Sequence, residues 1–271
     1  MPELPEIETA CRGIAPHILQ RRIIDVTVRD SRLRWPVPAQ LPQTLRNHTV
    51  RHVRRRGKYI LIEFAHGWLI MHLGMSGSLR IVPENTPFRK HDHVELRFDT
   101  GHCLRLHDPR RFGAILWTAT DPEQHKLLRD LGPEPLHRGF DGAHLFTKSR
   151  KRRQSVKAFI MDSHIVVGVG NIYANEALFL AGILPGRAAG NISMERYRQL
   201  AACIKRVLKR AIRMGGTTLR DFVNSDGNPG YFQQTLNVYD RKNEPCRSCK
   251  TPIRHLMLGQ RATYYCVYCQ H

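Results

Sequence analysis

From about residue 23 to residue 117, apolar side chains recur at every second position. Ile24-x-Val26-x-Val28, Ile60-x-Ile62-x-Phe64, Val94-x-Leu96-x-Phe98 and Leu104-x-Leu106 alternate with other residues, which points one strand face to a core and the other to water. Polar or glycine-containing turns separate the runs. The pattern therefore predicts an antiparallel sandwich or barrel built from many short strands. Ahead of it, Ile7, Cys11 and Ile14 stand at helical spacing, with Pro5 suited to a first turn and Pro16 expected as a stop. This leading helix is expected to pack on the sheets.

After Gly132-Pro133-Glu134-Pro135 the strand signals cease, and helical patterns appear at 155–163, 171–182 and 194–214. In the last, Tyr197, Leu200, Ile204, Leu208 and Ile212 form one apolar stripe, while Lys205, Arg206, Lys209, Arg210 and Arg213 occupy other faces. Gly215-Gly216 ends that helix. The change of period places a domain boundary between 132 and 150, and the fold class is α+β.

Composition adds a partner. The chain has 271 residues, 41% hydrophobic and 24% charged, which is globular and long enough for one large or two ordinary domains. Apolar runs such as Trp68-Leu69-Ile70-Met71 are far too short to cross a bilayer, and the start is not read as a secretory signal. The net charge of +20, with a pI near 10.3, points to a polyanion. Nucleic acid fits better than an anionic membrane, because the chain offers no basic amphipathic anchor with exposed aromatics. Two basic runs, Arg54-Arg55-Arg56-Gly57-Lys58 and Lys148-Ser149-Arg150-Lys151-Arg152-Arg153, suit a cleft that grips phosphates from both sides. Gly168-Val169-Gly170-Asn171 opens a predicted helix, where glycines let backbone N–H groups approach an anion.

Seven cysteines divide into three scattered ones (Cys11, Cys103, Cys203) and the set Cys246-x2-Cys249-x16-Cys266-x2-Cys269. Two close pairs at this separation are the spacing of a tetrahedral zinc site. Four thiolates leave no open coordination position, so one structural Zn2+ in a C-terminal ribbon is expected, and a reducing compartment with it.

The N-terminus offers a reactive group. Trimming of Met1 would leave Pro2 with a free secondary amine beside the carboxylate of Glu3. A chain-terminal amine titrates near 7.7–8.0 against about 10.4 for lysine, so roughly a tenth of it is neutral at pH 7. A neutral amine adds to carbonyl-like carbon to form a Schiff base, with a neighbouring acid to move the proton.

Met1-Pro2-Glu3-Leu4-Pro5-Glu6, Arg56-Gly57-Lys58-Tyr59, His72-Leu73-Gly74-Met75-Ser76-Gly77, Asp108-Pro109-Arg110-Arg111-Phe112-Gly113, Gly168-Val169-Gly170-Asn171-Ile172-Tyr173 and the four cysteines occur in this order. Together they resemble the bacterial formamidopyrimidine-DNA glycosylases, which excise oxidised purines and carry an abasic lyase activity. The resemblance runs from end to end of the chain. It implies an N-terminal β-sandwich domain with its leading helix (1–134), a hinge (135–150), a helix–two-turn–helix domain (151–235) and a zinc ribbon (236–271). It also implies a base-flipping enzyme in which Pro2 attacks C1′ and Glu3 acts as the acid. The strand then breaks by β- and δ-elimination, with Lys58 a proton donor in the first and Arg261 in the second. Glu6 and Lys157 are implied as supporting groups near the lesion. His91, Arg110, Lys151 and Asn171 would be phosphate contacts, and Met75, Arg110 and Phe112 would fill the vacated stack.

Two alternatives stay open at this point: an endonuclease VIII-like glycosylase for oxidised pyrimidines, and a non-catalytic zinc-ribbon DNA-binding protein. Leu4, Asn171-Ile172-Tyr173 and Arg110-x-Phe112 favour the purine enzyme. The expected partner is duplex DNA bearing oxidised bases or abasic sites, bound by a monomer in the bacterial cytoplasm, at the nucleoid. Lesion choice is expected to depend on the loop 217–232, where Gly227, Pro229 and Gly230 suggest mobility.

Overall fold

The structure is a computed structural model that describes residues 2–216 and 235–271, so the loop 217–232 lies outside the described residues. The chain divides into two compact units, Met1–Arg129 with Met214–Tyr231, and Asp130–Arg213 with Phe232–His271.

The first unit opens with α1 (Leu4–Ile18), followed by β1 (Ile23–Val28), the short helix α2 (Leu41–Leu45), β2 (His52–Arg56), β3 (Tyr59–Phe64), β4 (Gly67–His72), β5 (Ser78–Pro83), β6 (Asp92–Phe98), β7 (His102–His107) and β8 (Ala114–Thr118). The strands form two four-stranded antiparallel sheets, ordered β1-β6-β7-β5 and β2-β3-β4-β8. A sandwich results. Its core takes Ile7, Ile14 and Ile18 from α1, Leu96, Phe98 and Leu104 from one sheet, and Ile60, Ile62 and Leu69 from the other.

Three local expectations differ from what is seen. Helix α1 runs past Pro16 to Ile18. Proline removes only the bond to the Arg12 carbonyl, and the fully buried Ile18 offsets that loss. In β1 the buried residues are Ile23 and Val26, not Ile24 and Val28, because the register shifts between Ile23 and Asp25. In β3 the consecutive Ile60, Leu61 and Ile62 are all buried, so the sheet is covered on both faces there. Leu61 pairs with Ile70 on the face away from the core, and Arg54 stands opposite Leu61 on that face.

The second unit is helical and then a ribbon. Helix α3 (Gly142–Ser149) is capped by Asp141, whose carboxylate accepts the His144 N–H at 2.8 Å. Helix α4 (Val156–Met161) follows the N-cap Ser155, α5 (Asn171–Leu180) follows Gly170, and α6 spans Met194–Arg213. Residues 135–150 thus contain a helix that periodicity did not reveal. It is two turns long and rests on α6 so closely that a Cβ on Gly142 would lie 2.5 Å from the Arg198 backbone. Tyr197, Leu200, Ile204 and Leu208 of the predicted stripe are buried. Strands β9 (Arg254–Leu258) and β10 (Arg261–Tyr265) make the ribbon hairpin. Gly259 and Gln260 both have positive φ, as a tight two-residue turn of this kind requires.

Candidate functional site

Glu3 is the N-cap of α1 and is 3% exposed, and Pro2 before it is also buried. The fully buried Glu6 accepts the Glu3 N–H at 2.9 Å, which fixes the direction in which the chain enters the helix. The Glu3 carboxylate in turn accepts the backbone N–H of Glu6, which closes a reciprocal capping box at the positive end of the helix. Gly216 (φ +81°) passes directly over Glu6: a Cβ there would lie 2.8 Å from Glu6 Oε1. Gly216 is thereby in contact with the first turn of α1.

Lys58 is half-buried in the two-residue turn between β2 and β3, where Gly57 (φ +58°) supplies the left-handed first position. His72, on β4 opposite Tyr59, lies near it. Burial, with the nearby Lys58 and Arg34 cations, pushes His72 down to about 4, so its Nδ1 is free to accept the Gly74 N–H at 3.0 Å.

In the basic run before Lys58, each arginine has an anion of the fold beside it. Arg54 and Arg56 pair with Glu123 at 3.3 and 3.0 Å. Arg55 points to the core face and pairs with Glu8 of α1 at 3.1 Å. These three guanidiniums are engaged within the fold. In the second run, Arg150 stacks on Phe146 at 3.9 Å and donates to the Ile192 carbonyl, and Arg152 donates to the Lys148 carbonyl. Lys151, with φ +63°, and Arg153 are exposed.

Met75 and Phe112 are 38% and 44% exposed, unusual for large apolar residues. The Arg110 guanidinium lies 4.9 Å over the Phe112 ring. Beneath them the fully buried Asp108 accepts the Gly113 N–H at 2.7 Å and the Ser76 hydroxyl at 3.3 Å. His91 precedes β6, and its Asp108 neighbour donates a backbone N–H to the His91 carbonyl at 3.0 Å. Partial burial and the adjacent His107 and Lys90 hold His91 below the usual histidine range.

In the second unit, Lys157 is 2% exposed, and its Nζ donates to the Ala262 carbonyl at 2.8 Å and to Thr263 Oγ1 at 2.7 Å. Asn171 Nδ2 donates to the same carbonyl at 3.0 Å. Both residues therefore hold the strand that begins with the exposed Arg261. A cavity of about 200 Å³ is lined by Lys157, Met161, Leu258 and Arg261.

The four cysteine sulfurs lie within 4.8 Å of one another. Cys246 and Cys269 are 3.9 Å apart, and Cys249 and Cys266 are 3.4 Å apart. A tetrahedron of thiolates at about 2.3 Å from zinc has edges of about 3.8 Å, so the set fits one zinc ion. A hydrogen bond from Thr251 holds the Cys249 thiol down to about 6, while burial raises Cys266 and Cys269. The other three cysteines are buried, and Cys11 and Cys103 are pushed up to about 12 mainly by burial, which makes them unreactive.

Several structural residues were not singled out by the sequence. Glu176, 1% exposed, accepts four N–H bonds from the segment entering the ribbon: Asn237 N and Nδ2, Val238 N and Tyr239 N. Asn175 Oδ1 accepts the Tyr264 N–H, and Gln270 bridges Cys266 N to the Ile183 carbonyl. Asp108 begins the Asp108-Pro109-Arg110-Arg111-Phe112-Gly113 stretch, but nothing local in the sequence marks its carboxylate as buried.

Against known families, residues 1–115 match the formamidopyrimidine-DNA glycosylase N-terminal domain and residues 131–223 the H2TH domain of the same enzymes. The formamidopyrimidine-DNA glycosylase of Methylococcus capsulatus is 63% identical over 270 residues, covering 100% of both chains. The structure of the Lactococcus lactis enzyme with DNA containing an abasic site superposes with a TM-score of 0.92 at 32% identity, covering 99% of each chain. A structure of MutM with DNA containing carbocyclic 8-oxo-G gives 0.92 at 32%, covering 100% of each. With two family domains matched and such identity over its whole length, the chain belongs to the formamidopyrimidine-DNA glycosylase family.

Proposed function

We propose that this chain excises oxidised purines, 8-oxoguanine and formamidopyrimidines, from duplex DNA and then cuts the abasic strand. The observation that carries the reading is the buried Pro2-Glu3 pair at the positive end of α1, locked by Glu6. The Pro2 amine attacks C1′ of a flipped nucleotide. Glu3 gives its proton to the departing base or sugar oxygen and, as a carboxylate, stabilises positive charge on the sugar. The resulting iminium acidifies C2′. Loss of that proton expels the 3′-phosphate, with Lys58 moving the proton, and a second elimination, served by Arg261, expels the 5′-phosphate. Lys157 supports this step through its bonds to Ala262 and Thr263. His91, Arg110, Lys151 and Asn171 contact phosphates, and Met75, Arg110 and Phe112 enter the stack. Zinc adds no chemistry to these steps: held by Cys246, Cys249, Cys266 and Cys269, it fixes the ribbon.

In this reading residues 1–134 form the catalytic domain, 135–150 link it through α3 to the helix–two-turn–helix domain of 151–235, and 236–271 form the ribbon. The protein works as a monomer in the cytoplasm, at the nucleoid. Borohydride trapping on abasic duplex DNA tests the chemistry. Protein lacking Met1 traps, whereas a residue inserted before Pro2 abolishes trapping and leaves duplex binding intact. Glu3→Gln loses base excision but keeps part of its cutting at a preformed abasic site. Trapping at wild-type yield by the blocked protein refutes Pro2 as nucleophile. Faster excision of oxidised pyrimidines than of 8-oxoguanine refutes the substrate assignment.

A further inference from the structure

We infer that Asp108 is a positioning residue that joins Met75, Arg110 and Phe112 into one rigid wedge. The inference rests on the proposed role of those three residues in filling the vacated stack. Met75 sits in the loop between β4 and β5, and Arg110 and Phe112 sit in the loop between β7 and β8. Asp108 lies just beyond β7, outside every strand ladder, yet it is fully buried. One carboxylate oxygen takes the hydroxyl of Ser76, next to Met75, and the other takes the N–H of Gly113, next to Phe112.

The two loops are also in backbone contact. Gly74 has φ +63°, and a Cβ there would lie 2.4 Å from the Phe112 carbonyl carbon. The Asp108 carbonyl accepts the N–H of Arg111, which is held at φ +56°, a conformation unfavourable for a non-glycine residue. His93 Nε2 donates to that carbonyl at 2.8 Å. The exposed tips are therefore mounted on one buried charge with directed bonds to both loops. Neither loop gains stability by exposing Met75 and Phe112, so the anchoring serves what the tips do. A wedge fixed before it meets DNA loses no side-chain freedom on insertion, which favours unstacking at an intact lesion. A preformed abasic site, with no base to displace, needs the wedge less.

The test compares Asp108→Asn and Ser76→Ala with wild type in single-turnover excision of 8-oxoguanine opposite cytosine and in cutting of a preformed abasic site. Insertion is followed by 2-aminopurine fluorescence beside the lesion. Asp108→Asn presents an amide donor to one of two donors, so excision and the insertion rate are expected to fall roughly tenfold to a hundredfold, with abasic cutting within about threefold. Ser76→Ala loses one bond only and falls between, about threefold to tenfold, which preserves the test if Asp108→Asn folds poorly. In a Met75→Ala/Phe112→Ala background the Asp108→Asn effect shrinks to about twofold or less, because the coupled elements are already gone. Equal losses on both substrates, no loss on either, or an undiminished effect in that background overturns the inference. A wild type that neither excises nor traps overturns the proposed function instead, and this role with it.

Discussion

Glu176 is expected to decide whether the ribbon stays docked. Its carboxylate takes the N–H of Val238, a fully buried residue, and those of the half-buried Asn237 and Tyr239, together with the Asn237 side-chain amide. Replacing Glu176 by alanine leaves the Val238 donor dry, at about 2–3 kcal/mol for a bond that was charge-assisted. The three other donors, two of Asn237 and one of Tyr239, can turn to water, each losing about 0.5–1 kcal/mol. The sum is about 3.5–6 kcal/mol, on the order of a 10 °C fall in melting temperature for a domain of this size. Glutamine should cost about half as much, since one oxygen still serves Val238 and Tyr239 while the new amide group meets the Asn237 donors. Because Val238 packs with Phe179 of α5, Ile253, Cys246 and Cys266, the loss should reach the metal site. Thermal unfolding combined with a colorimetric zinc-release assay reads both effects. The expectation is faster metal release in the order alanine, glutamine, wild type. A melting temperature within about 2 °C of wild type for Glu176→Ala, or zinc release unchanged despite lower stability, would refute the reasoning.

Other outcomes follow from the same structure. Chelation should release one zinc and abolish duplex binding while sparing the sandwich, whose core contains no residue of the ribbon; retained binding after metal loss would contradict this. DNA affinity should fall steeply with salt, with a slope near −3.6 if about four phosphates are neutralised. Lys151→Ala should flatten that slope by about 0.9, whereas Arg55→Ala should change it little because that guanidinium is buried against Glu8; the reverse ranking would sink the assignment. Burial and the Lys58 and Arg34 cations depress His72 in the folded state, so the unfolded chain binds the extra proton. The stability His72 contributes is complete above its unfolded value near 6.5 and is lost as pH falls toward 4. Melting curves between pH 7 and 4.5 should show this loss in wild type and less of it in His72→Gln; identical pH profiles would argue against a buried neutral ring.

Some of this protein was legible because the signal is local. The four cysteines announce a tetrahedral site by spacing alone, since each pair must turn within two residues to bring its sulfurs together. The stripe of α6 is readable because one face meets a core, and the alternation of β6 and β7 is readable because their second face, although also buried, carries His93, Glu95 and Arg105, the last two paired with each other. The reading fails where that condition fails: in β3, apolar on both faces, in β1, shifted by a bulge, and in α3, too short for its period to register.

Charge was the least legible property, for a physical reason. Composition fixes how many cations the chain carries, but what a cation does depends on which anion the fold brings beside it. Arg54 and Arg56 meet Glu123 across 69 and 67 residues of sequence, and Arg55 meets Glu8 across 47. Asp108 and Glu176 look like ordinary surface acids in the sequence, and the tertiary structure buries both and surrounds them with donors. The sequence by itself determined the metal ligands, the strand and helix periods and the basic character. Only the tertiary structure decided which charges pair within the fold, because pairing is set by distance in space and sequence separation does not encode it.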